Sequence, residues 1–66
     1  MRTLSTGHIL ATVQKKGVEA QIKRLRKMKG GEIEVILHCR VEDRRTVKNA
    51  VLVALGRETK SEILFI

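Results

Sequence analysis

The sequence predicts a small α/β (α+β) domain, β-α-β-α-β in order, with a three-stranded sheet carrying two helices on one face. Three observations lead there. Residues 32–41, EIEVILHCRV, alternate apolar and polar positions with the period of a half-buried strand. Residues 18–29 and 44–56 place apolar side chains at helical spacing. Glycines at 17, 30–31 and 56 fall between these segments, where turns are needed.

In chain order, HILATV at 8–13 comes first. Ile9, Ala11 and Val13 alternate with His8 and Thr12, which favours a strand, although Ser5 could instead cap a helix through the same residues. Over 18–29, Val18, Ile22, Leu25 and Met28 form one stripe, with Lys23, Arg24, Arg26 and Lys27 on or beside the opposite side, as in an amphipathic helix. Gly30-Gly31 would end that helix, because glycine readily takes the left-handed conformation. The alternating strand follows, with Ile33, Val35, Leu37, Cys39 and Val41 inward and Ile36, His38 and Arg40 outward. Residues 44–56 then form a helix that Asp43 can cap and Gly56 can end, with Val47, Ala50, Val51 and Ala54 as its inner stripe. SEILFI at 61–66 reads as a terminal strand. Right-handed crossovers would put both helices on one side of the sheet. The other side, with Ile36, His38 and Arg40, is left to a partner or to water.

The 66 residues form one domain, 1–66, whose core is thin for an independent fold. One cysteine, Cys39, allows no internal disulfide, and two histidines with one cysteine fall short of a structural zinc set. No metal and no cofactor is expected, and a homodimer is the simplest additional support. No apolar run reaches the ~20 residues of a membrane span, and the N-terminus lacks the long apolar centre of a secretory signal. A cytoplasmic protein with a reduced thiol is the expectation.

The charge is the most informative feature. The net +7 comes from fourteen basic and seven acidic residues, and it is unevenly placed. Residues 1–30 hold eight basic groups against Glu19 alone, whereas residues 31–66 balance. The stretch QKKGVEAQIKRLRKMKGG at 14–31 concentrates the excess. A solvated helix face usually mixes signs at i, i+4, and here only Glu19 and Lys23 are so spaced. Nucleic acid is therefore favoured over an acidic protein partner or no ligand, with Lys15, Lys16, Lys23, Arg24, Arg26 and Lys27 as phosphate contacts. The turn at Lys15-Lys16-Gly17, placed before a helix, could also offer free backbone amides to a phosphate. With no Tyr or Trp and a single Phe65, base stacking has little to work with, which points to duplex DNA or structured RNA held by its backbone.

Catalysis finds little support. Ser5, Ser61, His8, His38 and Asp43 have no spacing that assembles a nucleophile, a base and its orienting group. His38 and Cys39 are neighbours on a strand and point to opposite faces, so a buried structural cysteine and a surface histidine are expected, and no enzyme. A regulatory protein that binds another protein through the open sheet face or the wide apolar second helix is the alternative.

QKKGV at 14–18 and TVKNAV at 46–51 resemble the lysine turn and second helix of the archaeal chromatin protein Alba family, and the element order is similar to the C-terminal domain of bacterial translation initiation factor three. The resemblance spans residues 9–56. It implies a homodimer that binds nucleic acid without strong sequence preference, with Lys15 and Lys16 as the nucleic-acid-facing pair and Arg40 as the arginine before the second helix. The chain departs from that pattern at Gln14 and Val41, where the family has glycine, and has no room for the family's long hairpin arm.

Overall fold

The computed structural model describes residues 5–56 and 59–66. Its elements are α1 (Thr6–Gln14), β1 (Ala20–Lys27), β2 (Ile33–Cys39), a 3-10 turn at Val41–Asp43, α2 (Arg44–Leu55) and β3 (Ser61–Phe65). The class is the expected one, a three-stranded sheet with two helices. The order is α-β-β-α-β, so the first two elements differ from the expectation.

Residues 8–13 are helical, not extended. Ser5 has extended dihedrals and its Oγ accepts a hydrogen bond from the His8 amide at 3.1 Å, the cap that starts α1. Ile9 and Val13, four apart, point into the core, while Ala11 between them is exposed. The alternation of these residues is thus coincidental to their burial. Replacing Ser5 with Ala should lower the unfolding free energy by about 0.5–2 kcal/mol in urea titrations, since the His8 amide loses its acceptor.

Within 18–29, residues 20–27 form a strand, not a helix. β1 pairs antiparallel with β2, matching Ile22 with Leu37 and then Arg24 with Ile36, so Lys23 is an extra residue, a β-bulge. Gly30-Gly31 closes the hairpin rather than ending a helix. The Gly31 amide donates to the Met28 carbonyl at 3.0 Å, the Met28 amide donates to the Glu32 carbonyl at 2.7 Å, and Gly31 has φ 85°. A three-residue hairpin loop needs such a left-handed position, which glycine occupies without steric cost.

β2 is the central strand, with β3 parallel on its other side, giving the order β1-β2-β3. Ile33, Val35, Leu37 and Cys39 on its inner side join Ile9 and Val13 of α1 and Val47, Ala50, Val51 and Leu55 of α2 in one cluster. Both helices therefore cover the same face. Asp43 makes no side-chain capping bond and is itself in the helical region, so α2 is entered through the 3-10 turn instead of a carboxylate cap. Gly56, with φ 92°, ends α2 as expected.

The outer sheet face is left uncovered by both helices. The strand register arranges it in rows of neighbours: Arg26, Glu34 and Glu62; Arg24, Ile36 and Leu64; Gln21 and His38. Among the described residues, no helix is long and apolar enough to cross a membrane.

Candidate nucleic-acid interface

The cations of the first half are organised by an edge strand, not by a helix. β1 has β2 on one side only, and its eight residues span about 27 Å at ~3.4 Å each. Lys23, Arg24, Arg26 and Lys27 are all exposed along it. The strand pairing sends Arg24 and Arg26 to the outer face, opposite Ile36 and Glu34, and Lys27 to the inner side opposite Ile33. The bulge at Lys23 interrupts the alternation, and the Lys23 Nζ donates to Gln21 Oε1 at 3.0 Å on the outer side. A neutral acceptor leaves that charge uncompensated. Lys23 and Arg24 are thus adjacent in sequence and both available on the outer surface, a doubling that a regular strand would not give.

Arg26 differs from its neighbours. Its Nε and Nη2 donate to the two oxygens of Glu34 at 2.7 and 3.3 Å. The Glu34 side chain is 10% exposed and that of Arg26 50%. Such two-pronged pairing satisfies a nearly buried carboxylate. Arg26 therefore has a structural task. Arg26→Ala should cost about 1–3 kcal/mol in urea unfolding by stranding Glu34, and Glu34→Gln in the same background should recover part of the loss. A variant as stable as the parent would show the pair to be dispensable. Among the described residues this is the one ion pair, so Lys23, Arg24 and Lys27 have no carboxylate within salt-bridge distance.

Lys15 and Lys16 follow α1 rather than precede a helix. The amides of Lys15, Lys16 and Gly17 are bonded to the carbonyls of Ala11, Val13 and Gln14 at 3.1, 3.0 and 2.9 Å. They are not free for a phosphate, which corrects the idea of a backbone anion nest. The two side chains are exposed at a helix C-terminus, where the helix dipole favours positive charge. Gly17, with φ 76°, turns the chain toward β1, so the pair stands at the end of the strand remote from the hairpin. Lys29 lies in the hairpin loop at the other end.

Arg40 is exposed just beyond β2 and shares an open polar cleft of about 400 Å³ with Glu19, Gln21, His38 and Asp43. Two carboxylates in the same cleft offset its charge, so Arg40 is separate from the β1 cations and less suited to a polyanion. His38 is exposed, and its Nδ1 lies 2.7 Å from the Ile66 carbonyl oxygen. A carbonyl only accepts, so Nδ1 is the donor in this contact. Cys39 is buried, as expected, and bonds to the Arg40 carbonyl at 3.3 Å. Burial, with the Asp43 carboxylate adding to it, pushes its thiol above the ordinary value and keeps it protonated. Phe65 is half-buried with the Arg44 guanidinium 5.6 Å from its ring centre, so this ring already has a cation against it.

What sequence reasoning missed is the bulge and the Arg26–Glu34 pair. The pair had a possible signal, since a glutamate inside an otherwise buried strand needs a cation across the hairpin. Neither a family model, nor a curated protein, nor a solved structure matches the chain.

Proposed function

We propose that this domain binds nucleic acid through the phosphate backbone of duplex DNA or structured RNA, without strong sequence specificity, and acts as a homodimer in the cytoplasm. The reading rests on one observation: exposed cations without carboxylate partners line an edge strand, Lys23 and Arg24 adjacent at its bulge, with Lys15 and Lys16 at one end. Like charges this close repel, and a polyanion relieves that repulsion while releasing its condensed counterions. Lys27, on the inner side of the strand, joins as a flanking contact. Arg26 contributes field more than a direct contact, because Glu34 holds it. The resemblance to Alba points to the same activity, but its strand–turn–helix order over 9–29 is replaced here by helix–turn–strand, so the proposal stands on the charge alone.

Gel shifts against duplex DNA and structured RNA at two salt concentrations test it. Four to five phosphate contacts predict that log affinity falls against log salt with a slope of roughly −4. A complex indifferent to salt, or no complex with either polymer at low salt, would rule the mechanism out. The second reading is a regulator that docks on another protein. Its support is exposed apolar side chains on the two surfaces open to a partner: Leu64, 40% exposed, beside Ile36 on the outer sheet face, and Val53, 73% exposed, on α2. That complex would survive reversal of the β1 charges.

A further inference from the structure

The two edges of the sheet are built differently. The β1 edge carries a bulge and four cations, both of which discourage another strand from adding to it. The β3 edge, SEILF, has no bulge, no proline and no basic residue within the strand. Its free hydrogen-bonding groups can be assigned. Lys60 accepts from the Ile33 amide at 3.0 Å and the Ile66 amide donates to Leu37 at 2.9 Å. In a parallel ladder each residue directs both its N–H and its C=O to the same side. The even-numbered residues 60, 62, 64 and 66 therefore bond to β2, and Ser61, Ile63 and Phe65 direct their amides and carbonyls outward.

We propose that this edge is the dimer interface: β3 pairs antiparallel with β3 of a second copy across a twofold axis at Ile63, joining the two sheets into one of six strands. This specifies the homodimer of the reading above, and it holds whether or not nucleic acid is the ligand. The occupant follows from self-complementarity. Centred on Ile63, the pairing sets Ser61 opposite the partner's Phe65, Ile63 opposite the partner's Ile63, and Phe65 opposite the partner's Ser61. All three outward residues on each strand are then in hydrogen-bonded pairs, each exchanging two bonds. Moving the centre to Glu62 faces two carboxylates, and moving it to Leu64 gives Ser61 no partner within β3. A one-residue slip would exchange inner and outer faces.

The remaining contacts agree with the same arrangement. Inner-face Ile63 and Phe65 are each half-buried in one copy; Ile63 would be covered by the partner's Ile63, and Phe65 would gain the partner's Ser61 beside it. Arg44 lies on Phe65, which puts the Arg44–Lys48–Leu52 side of α2 over β3, and Leu52 is 38% exposed there. On the outer face Glu62 would sit opposite the partner's Leu64 in both halves of the pair. The guarded β1 edges then lie at the two far ends of the joined sheet, and an axis perpendicular to it keeps both outer faces on one side. The cations would form two strips flanking a single platform.

Light scattering across the micromolar range should give a mass near twice the 7.5 kDa chain. Leu64→Glu, on the exposed outer face, sets carboxylates opposite each other at both symmetric positions and should raise the dissociation midpoint about tenfold. Adding Glu62→Lys to it creates Lys–Glu pairs across the axis and should restore the dimer, which a merely structural defect would not allow. If Leu64→Glu loses its circular dichroism signal, Ser61→Pro replaces it, since the Ser61 amide faces outward and its loss spares the β2–β3 ladder. A monomer at every concentration, or a dimer mass indifferent to these substitutions, overturns the interface. Salt-dependent binding of DNA or RNA, measured on the same proteins, reports separately on the nucleic-acid reading.

Discussion

Reversing the charge of Lys23 and Arg24 to glutamate should abolish retardation of duplex DNA and structured RNA at moderate salt. The remaining binding should lose about two units of its salt slope, one for each phosphate contact removed. Both side chains are exposed and neither has a carboxylate partner, so the fold should tolerate the change, and an unaltered melting temperature would document that. The same reversal at Glu42 and Asp43, to lysine, should leave affinity unchanged or raise it. If the Lys23→Glu, Arg24→Glu protein binds as the parent does, the β1 edge is not the contact surface. If it then still captures a protein partner held by apolar contacts, the docking reading takes its place.

Leu37→Ala should remove a large share of the domain's stability. Leu37 is fully buried on the central strand, between Ile22 on β1 and Phe65 on β3. Emptying such a site costs about 2–5 kcal/mol. At roughly 0.05–0.15 kcal/mol per residue a chain of this length has only ~3–10 kcal/mol to lose. Thermal melts followed by circular dichroism should show the cooperative transition displaced to low temperature or absent. Ile36→Ala, one residue away on the uncovered face, should shift it far less. Equal effects at 36 and 37 would mean that the outer face is covered as fully as the inner one.

These two side chains also show what the sequence makes legible. The alternation identifies β2 and separates Leu37 from Ile36, because a regular strand buried on one side writes its pleat directly into the residue pattern, but the strand ends at Cys39, and Val41, expected inward, is 72% exposed in the 3-10 turn. The inner stripe of α2 at Val47, Ala50 and Val51 is legible for the same reason, with a period of 3.6. β1 is not legible, and the bulge explains why. One extra residue at Lys23 moves the next inward position from 24 to 25, so Ile22 and Leu25 stand three apart, and Val18, Ile22, Leu25 and Met28 imitate a helical stripe. In α1 the contest ran the other way. A chance alternation at 9, 11 and 13 outweighed the capping serine, although the Ser5 bond to the His8 amide is what the structure uses. Of the candidate site, the concentration of charge is visible in the sequence, but its division is not. Only the hairpin register brings Arg26 to Glu34 and turns Lys27 away from Arg24, and register is a property of the pairing, not of the segment.

The two ladders of the sheet enclose very different lengths of chain. β1 and β2 meet across a short hairpin loop, a closure on the order of microseconds. β3 can join β2 only after the chain between Cys39 and Ser61 has passed through α2, a non-local contact that pays its loop entropy first. The parallel ladder therefore sets the pace of assembly. Until it closes, one side of β2 and the apolar segment at the end of the chain stay open together, and a crowded solution of nascent chains is at its most vulnerable to misassociation through them.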